Sequence, residues 1–265
     1  MSPLFRFMMR RHRWTCGLCL IIPLGLGVVF GIIYPMFERE RAAFGPMFSV
    51  FRKWFSNLPD FLSPDGAFVW PFMHPLTLMI YGLAPAIPAI ALPSGERGRG
   101  SLDLLLATPL SRKRMILTVV AFMAPVCAAM ALAPFVGALI GASMAGVTGQ
   151  VPFGAYGLAS VEAFALSFCL GAFALLLSVR SRDRGQATLR FAVTCFAMFV
   201  VDFIAVVWKG HGPLLKRCGP LGYYHPLELA RGETHLIVVD LIVLLGAASA
   251  FVGCAVISQS RRRSA

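Results

Sequence analysis

Six apolar stretches run along the chain, and a more polar segment separates each from the next. They cover residues 14–34, 68–93, 115–142, 156–179, 189–208 and 236–258. A helix needs about 20 apolar residues to cross the hydrocarbon core of a bilayer, and every stretch reaches that length. The pattern therefore predicts an all-α polytopic membrane protein, with six transmembrane helices in a single domain over residues 1–265.

The second stretch is interrupted by prolines, which donate no backbone hydrogen bond and do not fit a regular helix interior. They occur at Pro71, Pro75, Pro85, Pro88 and Pro93. We expect this span to be kinked or broken and to pack against protein rather than lipid, because a lipid-exposed break would leave backbone groups unpaired.

Composition agrees with a membrane protein, since 58% of the residues are hydrophobic, 14% are charged and the mean hydropathy is +0.76. Such a chain has too few polar residues to cover a globular surface.

The net charge of +12 comes mainly from the segments outside the spans. It therefore bears on membrane topology, and we do not expect nucleic acid as a partner. One side of the six spans collects sixteen of the 24 basic residues. That asymmetry predicts both termini in the cytoplasm.

Three polar segments have helical patterns of their own. Apolar residues interspersed with arginines over residues 4–11 predict an interfacial helix on the cytoplasmic leaflet, leading into the first span. In residues 209–235, Pro226 suits the first turn of a short outer helix. An amphipathic helix on the outer interface is predicted within residues 35–67 by four apolar residues at helical spacing, Phe48, Phe51, Phe55 and Leu58.

The segment SGERGRGSLDLLLATPLSRKRMI, residues 94–116, separates the second and third stretches. Ser101 can cap a helix, Thr108-Pro109 ends it, and Ser111 can cap the next one. Three leucines share one face of that short helix: Leu102, Leu105 and Leu106. An apolar face with no lipid or core of its own predicts a docking surface for another protein. The alternative is an ordinary loop with basic residues.

The same segment resembles a motif of a known family. Glu96, Gly100, Leu102–Leu106, Thr108, Pro109 and Ser111, followed by basic residues, are similar to the E-x-G-T-L-[ED]-L-L-L-[SA]-T-P-[VL]-S-R motif of ABC-2 type transporter permease subunits. The run from Tyr223 to Glu228, YYHPLE, is similar to the Y-Y-x-P-x-E element of that family. Six spans with cytoplasmic termini match as well. Ser101 stands where Thr is common, and the arginines at 97 and 99 make the segment more basic than usual.

The resemblance implies the membrane subunit of an ATP-driven exporter. The short helix would be a coupling helix in a cleft of a separate ATP-binding subunit, which holds ATP and Mg²⁺, and a second permease chain, identical or related, would complete the pathway. Arg97, Arg99 and Arg112–Arg114 would meet an acidic rim of that subunit. The residues implied in coupling are Glu96, Gly100, Leu102, Asp103, Leu105, Leu106, Pro109 and Arg112, and those implied in shaping the exit are Tyr223, Tyr224, Pro226 and Glu228.

The chain carries no Gly-Lys-Ser or Gly-Lys-Thr, which a phosphate-binding loop requires. We therefore expect ATP hydrolysis in the partner subunit, and neither an enzymatic activity nor a cofactor in this chain.

Four polar residues lie within the spans at similar predicted depth: His74, Glu162, Asp202 and Asp240. Intramembrane acids are costly and mark functional sites by default. They predict a polar outer vestibule where cargo leaves, with Glu162 or Asp240 paired to His74. The alternative is that these groups are hydrated near the headgroups or satisfy helix ends.

Three other functions remain alternatives. Buried acids and a broken span would also fit an ion-coupled secondary transporter. An intramembrane enzyme is less favoured, because the five histidines form no H-E-x-x-H and Ser143 lacks the following glycine of a nucleophile motif. Cys16-x-x-Cys19 and the twelve methionines would suit copper, but no third ligand lies near in the sequence. Nothing in the spans selects a cargo.

Overall fold

A computed structural model describes residues 3–54, 62–100, 111–151, 153–207 and 212–261, and these residues contain helices and no strand. The helices are α1 (Pro3–Arg39), α2 (Arg41–Trp54), α3 (Pro64–Met73), α4 (Pro75–Ala91), α5 (Pro93–Gly98), α6 (Arg112–Met144), α7 (Phe153–Arg180), α8 (Arg184–Val207), α9 (Gly212–Lys216), α10 (Pro226–Ala230) and α11 (Ile237–Arg261). Two 3₁₀ turns, Thr148–Gln150 and Pro220–Tyr223, lie between them.

The spans predicted from the sequence are confirmed. Helices α1, α6, α7, α8 and α11 are each long and apolar enough to cross a membrane, and the bent pair α3 and α4 makes a sixth span when the pair is taken together. The protein is an all-α polytopic membrane protein.

The predicted break in the second span is also confirmed, and it falls at His74. Helices α3 and α4 meet there at 41°, because Pro75 has no N–H to donate to the preceding turn. The Leu76 N–H donates instead to His74 Nδ1 at 3.2 Å. The Phe72 carbonyl accepts from the Tyr224 hydroxyl at 3.2 Å, so side chains pair backbone groups at the break.

Helix α7 occupies the centre of the bundle, where it contacts α4, α6, α8, α10 and α11. Many of its buried positions are small, including Ala159, Ala163 and Ala172, which lets neighbouring backbones approach. Helix α1 packs on α6 even more closely. A Cβ atom on Gly137 would collide with the Leu24 carbonyl oxygen, and one on Gly27 with backbone atoms of α6. Glycine is required at this crossing because backbone touches backbone.

The first helix is longer than expected. Residues 4–11 are helical as predicted, but they continue without a break into the first span as part of α1. Leu4, Met8 and His12 are buried along one side of α1, and the Phe5 and Phe122 rings meet edge to face at 5.6 Å. The segment therefore packs on the bundle rather than lying separately on a membrane surface. No helix-breaking residue separates Pro3 from the span, and α6 offers an apolar contact.

The two ends of the bundle differ in charge. We call one end the basic end; it holds residues 3–13, α5 and the start of α6. We call the opposite end the distal end; it holds α2, α9 and α10.

The predicted outer amphipathic helix coincides in part with α2, which ends at Trp54. Phe55 and Leu58 lie outside the described residues, as do the side-chain positions of residues 48–54.

Candidate coupling site and acidic cluster

Helix α5 follows directly after α4 at the basic end and is fixed against α7. The Ser94 hydroxyl donates to the Ile90 carbonyl at 2.8 Å, and the Ser94 N–H donates to Ser178 Oγ at 3.2 Å. The two hydroxyls lie 3.0 Å apart, and both serines are buried. These bonds hold the start of α5 on the last turns of α7.

Arg97 turns inward from α5. Its Nη1 donates to the carbonyls of Val179 at 3.2 Å and Ser181 at 2.5 Å, and its Nη2 lies 3.4 Å from Gln259 Oε1. The last carbonyls of a helix have no donors of their own, and arginine satisfies them well. The sequence prediction that Arg97 meets an acidic rim of a partner is wrong, because its guanidinium caps the end of α7.

Glu96 is also turned into the protein, with 7% of its surface exposed. Its Oε1 lies 2.6 Å from Arg11 Nη1 of α1 and 3.8 Å from Arg99 Nη1. A carboxylate buried beside a guanidinium forms a strong charge-assisted bond. Through this pair, α5 is joined to α1 as well as to α7.

The segment that the sequence marks as a coupling helix begins just after this anchor. Gly100, the last described residue before it, has φ of 71°, a left-handed conformation that favours glycine. On its far side the Ser111 hydroxyl accepts from the Arg114 N–H at 3.2 Å, which confirms the predicted cap, and Arg112 begins α6. The remaining predicted coupling residues lie outside the described residues: Leu102, Asp103, Leu105, Leu106 and Pro109.

A cleft of about 250 Å³ opens at the basic end beside α5. Its lining includes Arg11, Arg99, Arg184 and Asp183, so positive charge predominates. The cleft adjoins the anchor of the undescribed segment and presents guanidinium groups to whatever binds there.

Toward the distal half of the bundle, the structure brings together Glu162 of α7, Asp240 in the first turn of α11, and His225 just before α10. His225 Nδ1 lies 3.0 Å from Asp240 Oδ2, and the His225 backbone N–H donates to Glu162 Oε2 at 3.0 Å. A ring nitrogen of His225 and one carboxylate oxygen of each acid lie within 4.8 Å of one another. Glu162 is fully buried and Asp240 is 3% exposed. We call these three residues the acidic cluster.

Two of the four predicted vestibule residues are in this cluster. The predicted partner His74 is not, because its Nδ1 caps α4 and its ring packs edge to face on Trp70. His225 pairs with Asp240 instead. Asp202 is half-buried on α8, and it does not join the three. His225 was not predicted from the sequence, because this residue occupies an unspecified position of the Y-Y-x-P-x-E element.

The rest of that element supports the cluster. Pro226 begins α10, as predicted, and Glu228 is half-buried in its first turn. The Tyr223 hydroxyl lies 3.4 Å from the Arg217 carbonyl. Burial raises the pKa of Tyr224 well above its usual value, so its hydroxyl stays protonated and donates to the Phe72 carbonyl. The element thus ties α10 to the broken span.

Within the described part of the chain, no third His, Cys, Asp or Glu side chain joins the cysteine pair suggested as a copper site. The acidic cluster is the group there in which three or more His, Cys, Asp or Glu side chains converge. Cys16 is half-buried and Cys19 is buried on α1, where they pack as small apolar residues.

Comparison with known proteins agrees with the motifs. No curated protein sequence matches the chain. A family model described as "ABC-2 family transporter protein" matches residues 7–212, from within α1 to the start of α9. The match contains both the α5 anchor and the segment after it, although it ends before the Y-Y-x-P-x-E element. The chain belongs to the ABC-2 transporter family and is a multi-pass membrane permease component of an ABC transporter.

Proposed function

We propose that this chain is the membrane-spanning permease subunit of an ATP-driven ABC-2 exporter in a plasma (inner) membrane. The basic end and both termini face the cytoplasm. A separate ATP-binding subunit binds ATP and Mg²⁺ and docks at the basic end, and a second permease chain, identical or related, completes the pathway for cargo.

The charge distribution supports this orientation. Basic residues gather at the ends of α1, α6, α7 and α8 that meet at the basic end, and cytoplasmic loops of membrane proteins carry such an excess. The arginine-lined cleft beside α5 is complementary to an acidic partner surface.

The anchoring of α5 is the observation that carries the proposal. A segment that transmits force must be fixed to the spans it moves. Arg97 joins α5 to the end of α7, the central helix, and Glu96 joins it to α1. A push on residues 101–110 would therefore reach two spans through charge-assisted bonds rather than being absorbed by a flexible loop.

In this proposal Leu102, Leu105 and Leu106 fill an apolar groove of the ATP-binding subunit, and Asp103 suits the first turn of the helix that presents them. Closure of the ATP-bound subunits moves the two coupling segments together, and α5 transfers that displacement to α7 and α1. Hydrolysis then resets the assembly.

Replacing Leu105 by Asp tests the docking. The complex is purified with the ATP-binding subunit, reconstituted in lipid, and its ATPase rate compared with that of the subunit alone. Burying a charge in an apolar groove costs several kcal/mol, so we expect the stimulation by Leu105→Asp to fall at least tenfold. Leu214→Asp is the matched control, because Leu214 is 67% exposed at the distal end. Stimulation that survives in Leu105→Asp contradicts the docking role, and cargo transport that persists in ATP-depleted vesicles contradicts the ATP-driven class.

A charge exchange tests the anchor separately. Arg11→Glu and Glu96→Arg each place like charges together and should lower the stimulated ATPase rate, whereas the double exchange restores an opposite-charge pair. Recovery of at least a third of the lost stimulation in the double variant supports force transfer through α5. Single variants that keep full stimulation would show that the pair is not on the coupling route.

A further inference from the structure

The acidic cluster places two carboxylates in the protein interior, and none of the described lysines or arginines forms an ion pair with them. Among the described residues, the group that forms an ion pair with Asp240 is His225, and Glu162 accepts a bond from the His225 backbone. Buried charges in proteins are paired with opposite charges or coordinate metals. One histidine balances at most one of the two acids.

One oxygen of the cluster has no hydrogen-bond partner among the residues that the structure describes. Glu162 Oε1 is buried and makes no hydrogen bond within the described structure, on a residue with no exposed surface. A buried carboxylate oxygen without a hydrogen bond lowers the stability of the fold. A cation bound at the cluster would supply the missing interaction. Glu162 Oε2 would keep its bond to the His225 N–H, which orients the ligand in the way that outer-shell bonds usually do.

We propose that Glu162, His225 and Asp240 bind a divalent transition-metal ion of the zinc class. One imidazole nitrogen and two carboxylate oxygens are ligands that Zn²⁺ accepts, and the two negative charges match the charge of the ion. The 3.0 Å between His225 Nδ1 and Asp240 Oδ2 is close to the spacing of neighbouring ligands on one tetrahedral ion, about 3.3 Å for metal bonds of about 2 Å.

The donor set argues against Mg²⁺ and Ca²⁺. Both prefer six or more oxygen ligands, whereas this cluster supplies two acidic side chains and a nitrogen. Three protein ligands leave one position for water. The side chain of His225 is 21% exposed, so the ion can enter from that side.

The metal would cross-link three separate parts of the chain: the third turn of α7, the segment before α10, and the start of α11. It would fix the position of α10 and, through the Tyr224 bond, that of the broken second span. This role concerns the distal half of the bundle and does not rest on the proposed coupling at the basic end.

The test measures metal in the intact protein. The full chain is purified in detergent with an affinity tag that contains no histidine, dialysed against a chelator, and titrated with Zn²⁺ and separately with Mg²⁺. We expect about one tightly held zinc per chain, a rise in melting temperature with Zn²⁺, and no response to Mg²⁺. Absence of stoichiometric zinc, or an equal response to Mg²⁺, would overturn the proposal and leave a carboxyl pair that shares a proton.

Variants locate the ion. His225→Gln and Asp240→Asn should weaken zinc binding at least tenfold. The matched controls His235→Gln and Asp202→Asn, an exposed histidine and a half-buried acid outside the cluster, should bind zinc as the wild type does. Zinc retained in both cluster variants would place the site elsewhere.

The visible spectrum of wild-type protein loaded with Co²⁺ identifies the type of ligand without any variant. Nitrogen and oxygen ligands produce visible d–d bands without a thiolate charge-transfer band. A thiolate band would assign the ion to cysteines and contradict the cluster.

Discussion

The crossing of α1 and α6 can be tested by adding a single methyl group. Gly137→Ala places a Cβ atom in collision with the Leu24 carbonyl oxygen, 3.0 Å from Gly27 Cα and 3.0 Å from the Leu24 carbonyl carbon. All three neighbours are backbone atoms, so no side-chain rotation relieves the contact. Helix α1 must move away from α6 by about 1 Å, which forfeits a quarter to a half of the dispersion energy of each atom pair that separates.

The expected magnitude follows from two opposing terms. Overpacking of a well-packed site costs about 1–3 kcal/mol, and the rigid backbone neighbours favour the upper value. Alanine in place of glycine in a helix interior contributes about 1 kcal/mol in the other direction. The net loss is about 2 kcal/mol, which corresponds to a melting temperature lower by about 4–8 °C at about 2–4 °C per kcal/mol.

The assay compares apparent melting temperatures in one detergent. Gly246→Ala is the matched control, because Gly246 lies inside α11 and a Cβ there has no neighbour within 4 Å. That variant should melt about 2–4 °C above the wild type. If Gly137→Ala melts as high as Gly246→Ala, then α1 and α6 do not approach closely at this point and the packing argument fails.

Two further predictions concern bonds at opposite ends of the bundle. Arg97→Gln should lower the free energy of unfolding by about 1–3 kcal/mol, because the carbonyls at the end of α7 lose a charged donor. The control Arg182→Gln, at an exposed residue of the same end, should change that free energy by less than about 0.5 kcal/mol. Equal melting temperatures for the two variants would refute the capping role of Arg97. Tyr224→Phe should cost about 1–2 kcal/mol, because a buried carbonyl at the break of the second span loses its donor, whereas Tyr223→Phe, whose hydroxyl bond is exposed, should be near neutral. A neutral Tyr224→Phe would mean that the break does not depend on this bond.

The sequence by itself determined where the spans lie. Transfer of about 20 apolar residues into a bilayer is a local free energy that depends on composition and length, so all six spans could be identified from the pattern. The break at His74, the Ser111 cap and the start of α10 at Pro226 were predictable for a similar reason. They follow from a missing N–H or a capping hydroxyl within a few residues.

Only the tertiary structure decided which faces of the spans meet. Helices α6 and α7 are apolar on nearly all sides, so the sequence carries little amphipathic signal for their rotation. The crossing at Gly137 and the central place of α7 depend on close approach between distant segments. For the same reason, the packing of residues 4–11 on α6 is decided only in the tertiary structure.

The direction of the charged side chains also depended on tertiary contacts. Arg97 was predicted to meet an acidic rim of a partner because it lies beside the expected coupling helix, but the end of α7 supplies unpaired carbonyls that bind it more favourably. His225 joined Glu162 and Asp240 although 63 and 15 residues separate it from them. The spacing of these residues along the sequence does not predict that they are in contact, because the contacts form only when the helices pack.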